Sequence, residues 1–108
     1  MLQISFAADS IEEVVSGAKW ETLRVGEDFS AGEVVELVRQ NGERVGFLKI
    51  LEKSEVAFAG LGESDVRSHN SGTLERLRMR LLSFYPDLNS DSILTRYRFK
   101  FMTQAKSD

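Results

Sequence analysis

The sequence predicts an α+β domain: a small mixed or antiparallel β-barrel of about six strands carrying two or three helices. Three observations lead there. Short runs of alternating apolar and polar side chains recur without a repeated strand-helix rhythm. Asn41-Gly42 separates two of these runs as a hairpin turn would, and one long amphipathic stretch, Thr73 to Tyr85, stops at the single proline, Pro86.

From the N-terminus, Met1 to Phe6 sets Leu2, Ile4 and Phe6 against Gln3 and Ser5, the alternation of a half-buried strand. Ser10 followed by Glu13 reads as a capping box opening a helix with the apolar stripe Ile11, Val14 and Val15, and Gly17 suits a left-handed helix end. The return stretch Ser16 to Gly26 places Trp20, Thr22 and Arg24 on one side and Lys19, Glu21, Leu23 and Val25 on the other. Val34 to Arg39 and Arg44 to Leu51 form a hairpin about Asn41-Gly42, read as a type I′ turn with positive φ at both residues. Glu55 to Phe58 is predicted as a further short strand. Gly60-Leu61-Gly62 then breaks the pattern before a short helix or loop, Glu63 to Asn70.

In the long helix Leu74, Leu77, Leu81, Leu82, Phe84 and Tyr85 share one arc, with Arg78 inside it. The last strand sets Ile93, Thr95, Tyr97, Phe99 and Phe101 against Leu94, Arg96, Arg98 and Lys100. Its aromatic face belongs to the core, and its basic face suits protection of a sheet edge.

One domain, residues 1–108, accounts for the chain, since a protein of this length buries roughly 65% of its unfolded surface unaided. With 42% hydrophobic and 29% charged residues it is globular, not a disordered tail. Cysteine is absent, which excludes disulfides and thiolate chemistry. His69 is the only histidine, so a transition-metal site would consist almost wholly of carboxylates; neither a metal nor a cofactor is expected. No apolar run approaches the roughly 18 residues of a membrane span, and Met1 leads directly into a strand pattern, so a cytoplasmic monomer without membrane association is expected. The net charge of −3 argues against a strongly basic nucleic-acid binder. It is unevenly spread: residues 1–66 carry 6 Lys/Arg against 13 Asp/Glu, and residues 67–108 carry 8 against 4, so an anionic partner should meet the C-terminal part.

Several residues in order carry a resemblance: Gly17-Ala18-Lys19, then Thr22 and Arg24, Ala31-Gly32-Glu33-Val34 leading into the next strand, Tyr85-Pro86, and the closing Arg98-Phe99-Lys100-Phe101. This arrangement resembles the ASCH domain, a branch of the PUA-like RNA-binding barrels, over nearly the whole chain. The resemblance implies a cleft between the barrel and the first helix, suited to RNA or a modified nucleoside. In size and layout the chain is most similar to small bacterial amidohydrolases that deacetylate N(4)-acetylcytidine with a lysine, a threonine and a glutamate. Lys19 and Thr22 match the first two, and Arg24 matches a neighbouring family arginine. Asn70 falls at the glutamate position, which leaves Glu63 as another source of a carboxylate.

The chemistry of these residue types is consistent with such a site. Thr22 becomes a nucleophile only with a base, and Lys19 can serve as one only if burial or a cation such as Arg24 lowers its pKa. Asn70 forms hydrogen bonds but exchanges no proton near neutral pH. The candidate catalytic groups are therefore Lys19, Thr22 and Glu63. The candidate ligand contacts are Lys19, Trp20 (stacking on a base), Thr22, Arg24, Asn70 and Arg78 (at the cleft mouth). Against these stand plainer roles: Trp20 as packing, Lys19 as the charge at a helix end, Arg76 and Arg80 as a solvated helix face, and His69 as an inert loop histidine. RNA or modified-nucleoside binding is the leading function, with an amidohydrolase and a small protein-interaction module as alternatives.

Overall fold

A computed structural model of the chain describes residues 1–105. The alternating runs become five strands: β1 (Gln3–Phe6), β2 (Glu21–Arg24), β3 (Val34–Arg39), β4 (Arg44–Ala57) and β5 (Ile93–Met102). The helices are α1 (Ala8–Ser16), α2 (Glu63–His69) and α3 (Leu74–Phe84), with a short 3-10 turn over Phe58–Gly60. All five strands join one sheet in the order β1-β3-β4-β5-β2, parallel between β1 and β3 and antiparallel elsewhere.

Two features of the expected barrel are corrected. Glu55 to Phe58 is not a sixth strand: β4 runs through it, and the change from apolar to polar sequence near Leu51 marks a register shift between Ile50 and Glu52. The sheet is also open, with β1 and β2 as its two edges. A side chain fastens the seam where a ladder would close a barrel. Arg24 Nη2 reaches from β2 to donate to the Ser5 carbonyl of β1 at 2.8 Å, and its guanidinium lies 4.7 Å from the Phe6 ring centroid.

Local signals acted partly as read. Gly17 ends α1 at φ 87°, but the helix begins at Ala8 with no side-chain cap, so Ser10 lies inside it and accepts from Arg80 instead. Thr73 caps α3 by accepting from the Arg76 N–H at 3.1 Å. The β3–β4 turn differs from type I′. Gly42 alone takes positive φ, its N–H donates to Arg39 at 2.9 Å, and Asn41 Oδ1 accepts from Glu43. The loop is therefore a three-residue type I turn followed by a left-handed glycine.

Both faces of the sheet are buried. Tyr97 and Phe99 pack with Ile4, Phe6, Leu37 and Leu48 against Ile11 and Val14 of α1. On the opposite face Leu23 and Leu94 meet Val66 of α2 and Leu77 and Leu81 of α3. Ile93 is therefore exposed while Leu94 is buried, the reverse of the single-faced expectation. Nor is β5 an edge. It lies between β4 and β2; Lys100 of its basic face stays exposed, and the Arg96–Arg98 pair is consumed inside the molecule.

Glu21 consumes it. This carboxylate has no solvent exposure, and antiparallel pairing sets it opposite Arg98, whose Nε donates to Oε1 at 3.0 Å. Arg96, two residues back on the same face of β5, lies 3.5 Å from Oε1 and donates through Nε and Nη2 to Asp65 of α2 at 2.9 and 3.1 Å. Burial pushes the Asp65 carboxyl up, but the hydrogen bonds it accepts from the Gly62 N–H and from Arg96 more than offset this and hold it below the usual range. The network docks α2 onto β2.

Glu21→Ala should cost about 3 to 5 kcal/mol in a denaturant titration, because it leaves Arg96 and Arg98 facing a buried gap. A loss under about 1 kcal/mol would show that the network is solvated. Gly46→Ala should cost about 1 to 3 kcal/mol by overpacking. Its added carbon would lie 2.7 Å from the Phe101 ring and 2.9 Å from the Met102 carbonyl, and the second contact is backbone and yields little.

Candidate functional site

A cleft of about 520 Å³ opens between α1 and α3. Its floor is the end of β1 with β2, and Asn70 and Ser71, between α2 and α3, form one wall. Arg80 of α3 spans it to α1, donating to both Asp9 oxygens at 2.7 and 2.9 Å and to Ser10 at 3.1 Å. That bidentate bond holds the Asp9 carboxyl below its ordinary range.

Lys19 is the cleft's buried cation. The left-handed turn at Gly17 reverses the chain, the Lys19 N–H returns to the Glu13 carbonyl at 3.0 Å, and the side chain is only 8% exposed. Because β2 begins at Glu21, strand alternation does not govern Lys19, so it joins Thr22 and Arg24 in the cleft lining. Its Nζ lies 5.5 Å from the Phe6 centroid and has no ion pair among the described residues. Burial, reinforced by Arg80 and Arg24 and only partly opposed by Glu13 and Asp9, lowers its pKa to about 8.

Thr22 is buried beside it and its hydroxyl accepts from Arg24 Nε at 2.8 Å. Arg24 also gives Nη1 to Glu27 at 3.1 Å and Nη2 to Ser5, so each of its three nitrogens has a protein acceptor. It serves as a wall and a seam fastener more than as an open hand for a ligand. Asn70 lines the cleft as the C-cap of α2 with φ 55°, a left-handed backbone that asparagine tolerates better than most residues.

Three candidates fall outside the cleft lining. Trp20, 41% exposed, carries the Arg98 guanidinium 5.3 Å from its ring centroid. Arg78 turns toward the Phe58 ring at 5.9 Å and the Ala59 carbonyl at 3.4 Å instead of the cleft mouth. Glu63 is exposed in the first turn of α2, away from Lys19 and Thr22. Conversely Arg76 and Arg80, read as a solvated face, line the cleft together with Asp9 and His69. The available signal was their spacing: Arg76 and Arg80 each precede by one residue a leucine of the buried stripe, Leu77 and Leu81.

No family model matches the sequence, and no curated protein matches it. Solved structures do. An ASCH domain from Lactobacillus crispatus JV V101 superposes with a TM-score of 0.77 at 16% identity, over 92% of this chain and 77% of that one. A variant of ZmASCH from Zymomonas mobilis gives 0.70 at 13% identity, over 94% of this chain and 69% of that one. The hypothetical protein PH0355 gives 0.71 at 12% identity over 94% and 98% of the two chains. At these identities the likeness establishes the fold. Among the described residues no group of three or more His, Asp or Glu is placed to hold a metal, and no helix is long and apolar enough to cross a membrane.

The unfolded chain keeps its Lys19 proton to about pH 10.5, whereas the folded chain releases it near 8. Between those values the unfolded state binds more protons, so this lysine makes folding stability rise with pH. Urea titrations from about pH 7 to about pH 10 should show that rise in the wild type and lose it in Lys19→Met. Parallel pH profiles for the two proteins would mean that Lys19 titrates as it does in water.

Proposed function

We propose, with the ASCH-domain fold as the premise, that the cleft binds the base of an RNA segment or a modified nucleoside. The observation that carries this reading is Lys19: a buried cation, without an ion pair among the described residues, on the floor of a cleft large enough for a nucleoside and lined also by Thr22. Arg76, which also has no ion pair among the described residues, adds positive charge at the rim for a phosphate. The other cleft arginines are engaged with Glu27 and Asp9. Binding should therefore depend on few phosphates, and RNA affinity should fall only gently with salt.

The lowered pKa of Lys19 also supports a second reading, an amidohydrolase acting on an acylated cytidine. An amine titrating near 8 is partly unprotonated at neutral pH and can take a proton from Thr22. Asn70 limits this reading because its amide cannot relay a proton. Its left-handed backbone gives it a structural reason to be asparagine.

An NMR titration with cytidine, N(4)-acetylcytidine and a short single-stranded RNA tests both. Shifts should appear at Lys19, Thr22 and Asn70, and Lys19→Ala should weaken binding about tenfold or more with the fold intact. Shifts confined to the surface around Val25 and Ile93 would refute the cleft assignment. N(4)-acetylcytidine should bind and be hydrolysed slowly or not at all. Brisk turnover that is lost in Thr22→Ala would establish the hydrolase instead.

A further inference from the structure

We infer that His69 is the hydrogen-bond acceptor of the cleft and that it selects ligands presenting an exocyclic amino N–H, such as that of cytosine or adenine. This rests on the nucleoside-binding reading and names the side chain that discriminates within it. His69 closes α2, is 5% exposed, and lines the cleft with Lys19, Thr22 and Asn70. Its Nδ1 lies 2.8 Å from the Asp65 carbonyl one helical turn earlier. A carbonyl oxygen only accepts, so Nδ1 carries the ring proton. Glu21 Oε2 lies 3.1 Å from the same nitrogen, without the alignment of a second hydrogen bond, and its negative charge favours the same tautomer.

In the neutral imidazole the other ring nitrogen, Nε2, is then a bare lone pair. It is buried and has no partner among the described residues. Buried polar atoms in folded proteins are overwhelmingly paired, and Nδ1 is already committed to α2 and β2, so Nε2 is the nitrogen left for a bound molecule. Cytosine offers it the N4 hydrogens, and N(4)-acetylcytidine keeps one of them. Uracil presents O4 at that position, lone pair against lone pair, and a buried acceptor rejects such a group far more strongly than it rejects a missing methylene.

Because His69 is the only histidine, long-range proton–nitrogen NMR spectra of the imidazole are unambiguous. The free protein at neutral pH should show Nδ1 protonated and Nε2 bare. Cytidine should move the Nε2 resonance and bind about tenfold tighter than uridine, and His69→Phe, if folded, should bring the two nucleosides to near equality. A free protein with the proton on Nε2 would overturn the inference. So would cytidine that shifts Lys19 and Thr22 but leaves Nε2 unmoved and shows no preference over uridine, an outcome under which nucleoside binding itself stands. No cleft shift with either nucleoside or with RNA would remove the nucleoside reading and this inference together.

Discussion

A carboxylate with no access to water organises the molecule. Glu21 lies between the sheet and α2, and its charge is answered by Arg98 directly across the β2–β5 ladder and by Arg96 two residues along. Arg96 also holds Asp65, so β2, β5 and α2 meet at one point. Buried ion pairs add little net stability relative to a well-packed apolar cluster, since desolvation cancels much of the attraction. Their effect here is positional. The placement of α2 that sets Asp65 against Arg96 also brings His69 and Asn70 to the end of the cleft.

The cleft lies where the sheet fails to close. β1 and β2 are unpaired edges, and exposed edges invite aggregation unless something covers them. Arg24 bridges the seam, α1 and α3 flank it, and the Arg80–Asp9 pair ties the two helices across the opening. An incompletely closed sheet thus supplies a concavity lined partly by backbone ends and partly by cations already committed to neighbours.

Two groups in that concavity are held in unfavourable states. Burial pushes Lys19 toward its neutral form, and His69 keeps a ring nitrogen without a partner among the described residues. An apolar pair of similar volume would pack without either penalty. Local costs of this kind collect at functional sites, where the interaction that relieves them is with a ligand.

Much of the secondary structure was legible from the sequence alone. β1 alternates with period two, β3 is an apolar run before Asn41-Gly42, α3 lies between Thr73 and Pro86, and Gly17 ends α1, all features decided by residues within a few positions of one another. Lys19 and Thr22 were paired by the family resemblance alone, since strand alternation set them on opposite sides of the chain. The centre of the structure was not. Glu21 and Arg98 are 77 residues apart, and their pairing depends on β2 adding to the sheet beside β5 and not beside β1. One sign was present in the sequence, a glutamate aligned with Leu23 on the buried side of a strand, but alternation cannot name a partner. His69 looked like an inert loop residue because its contacts are with the Asp65 carbonyl one turn away and a carboxylate on another element. Periodicity reports which side of an element is buried. Which charges meet there is decided by the order in which strands and helices pack, a property of the assembled tertiary structure that no local run of residues contains.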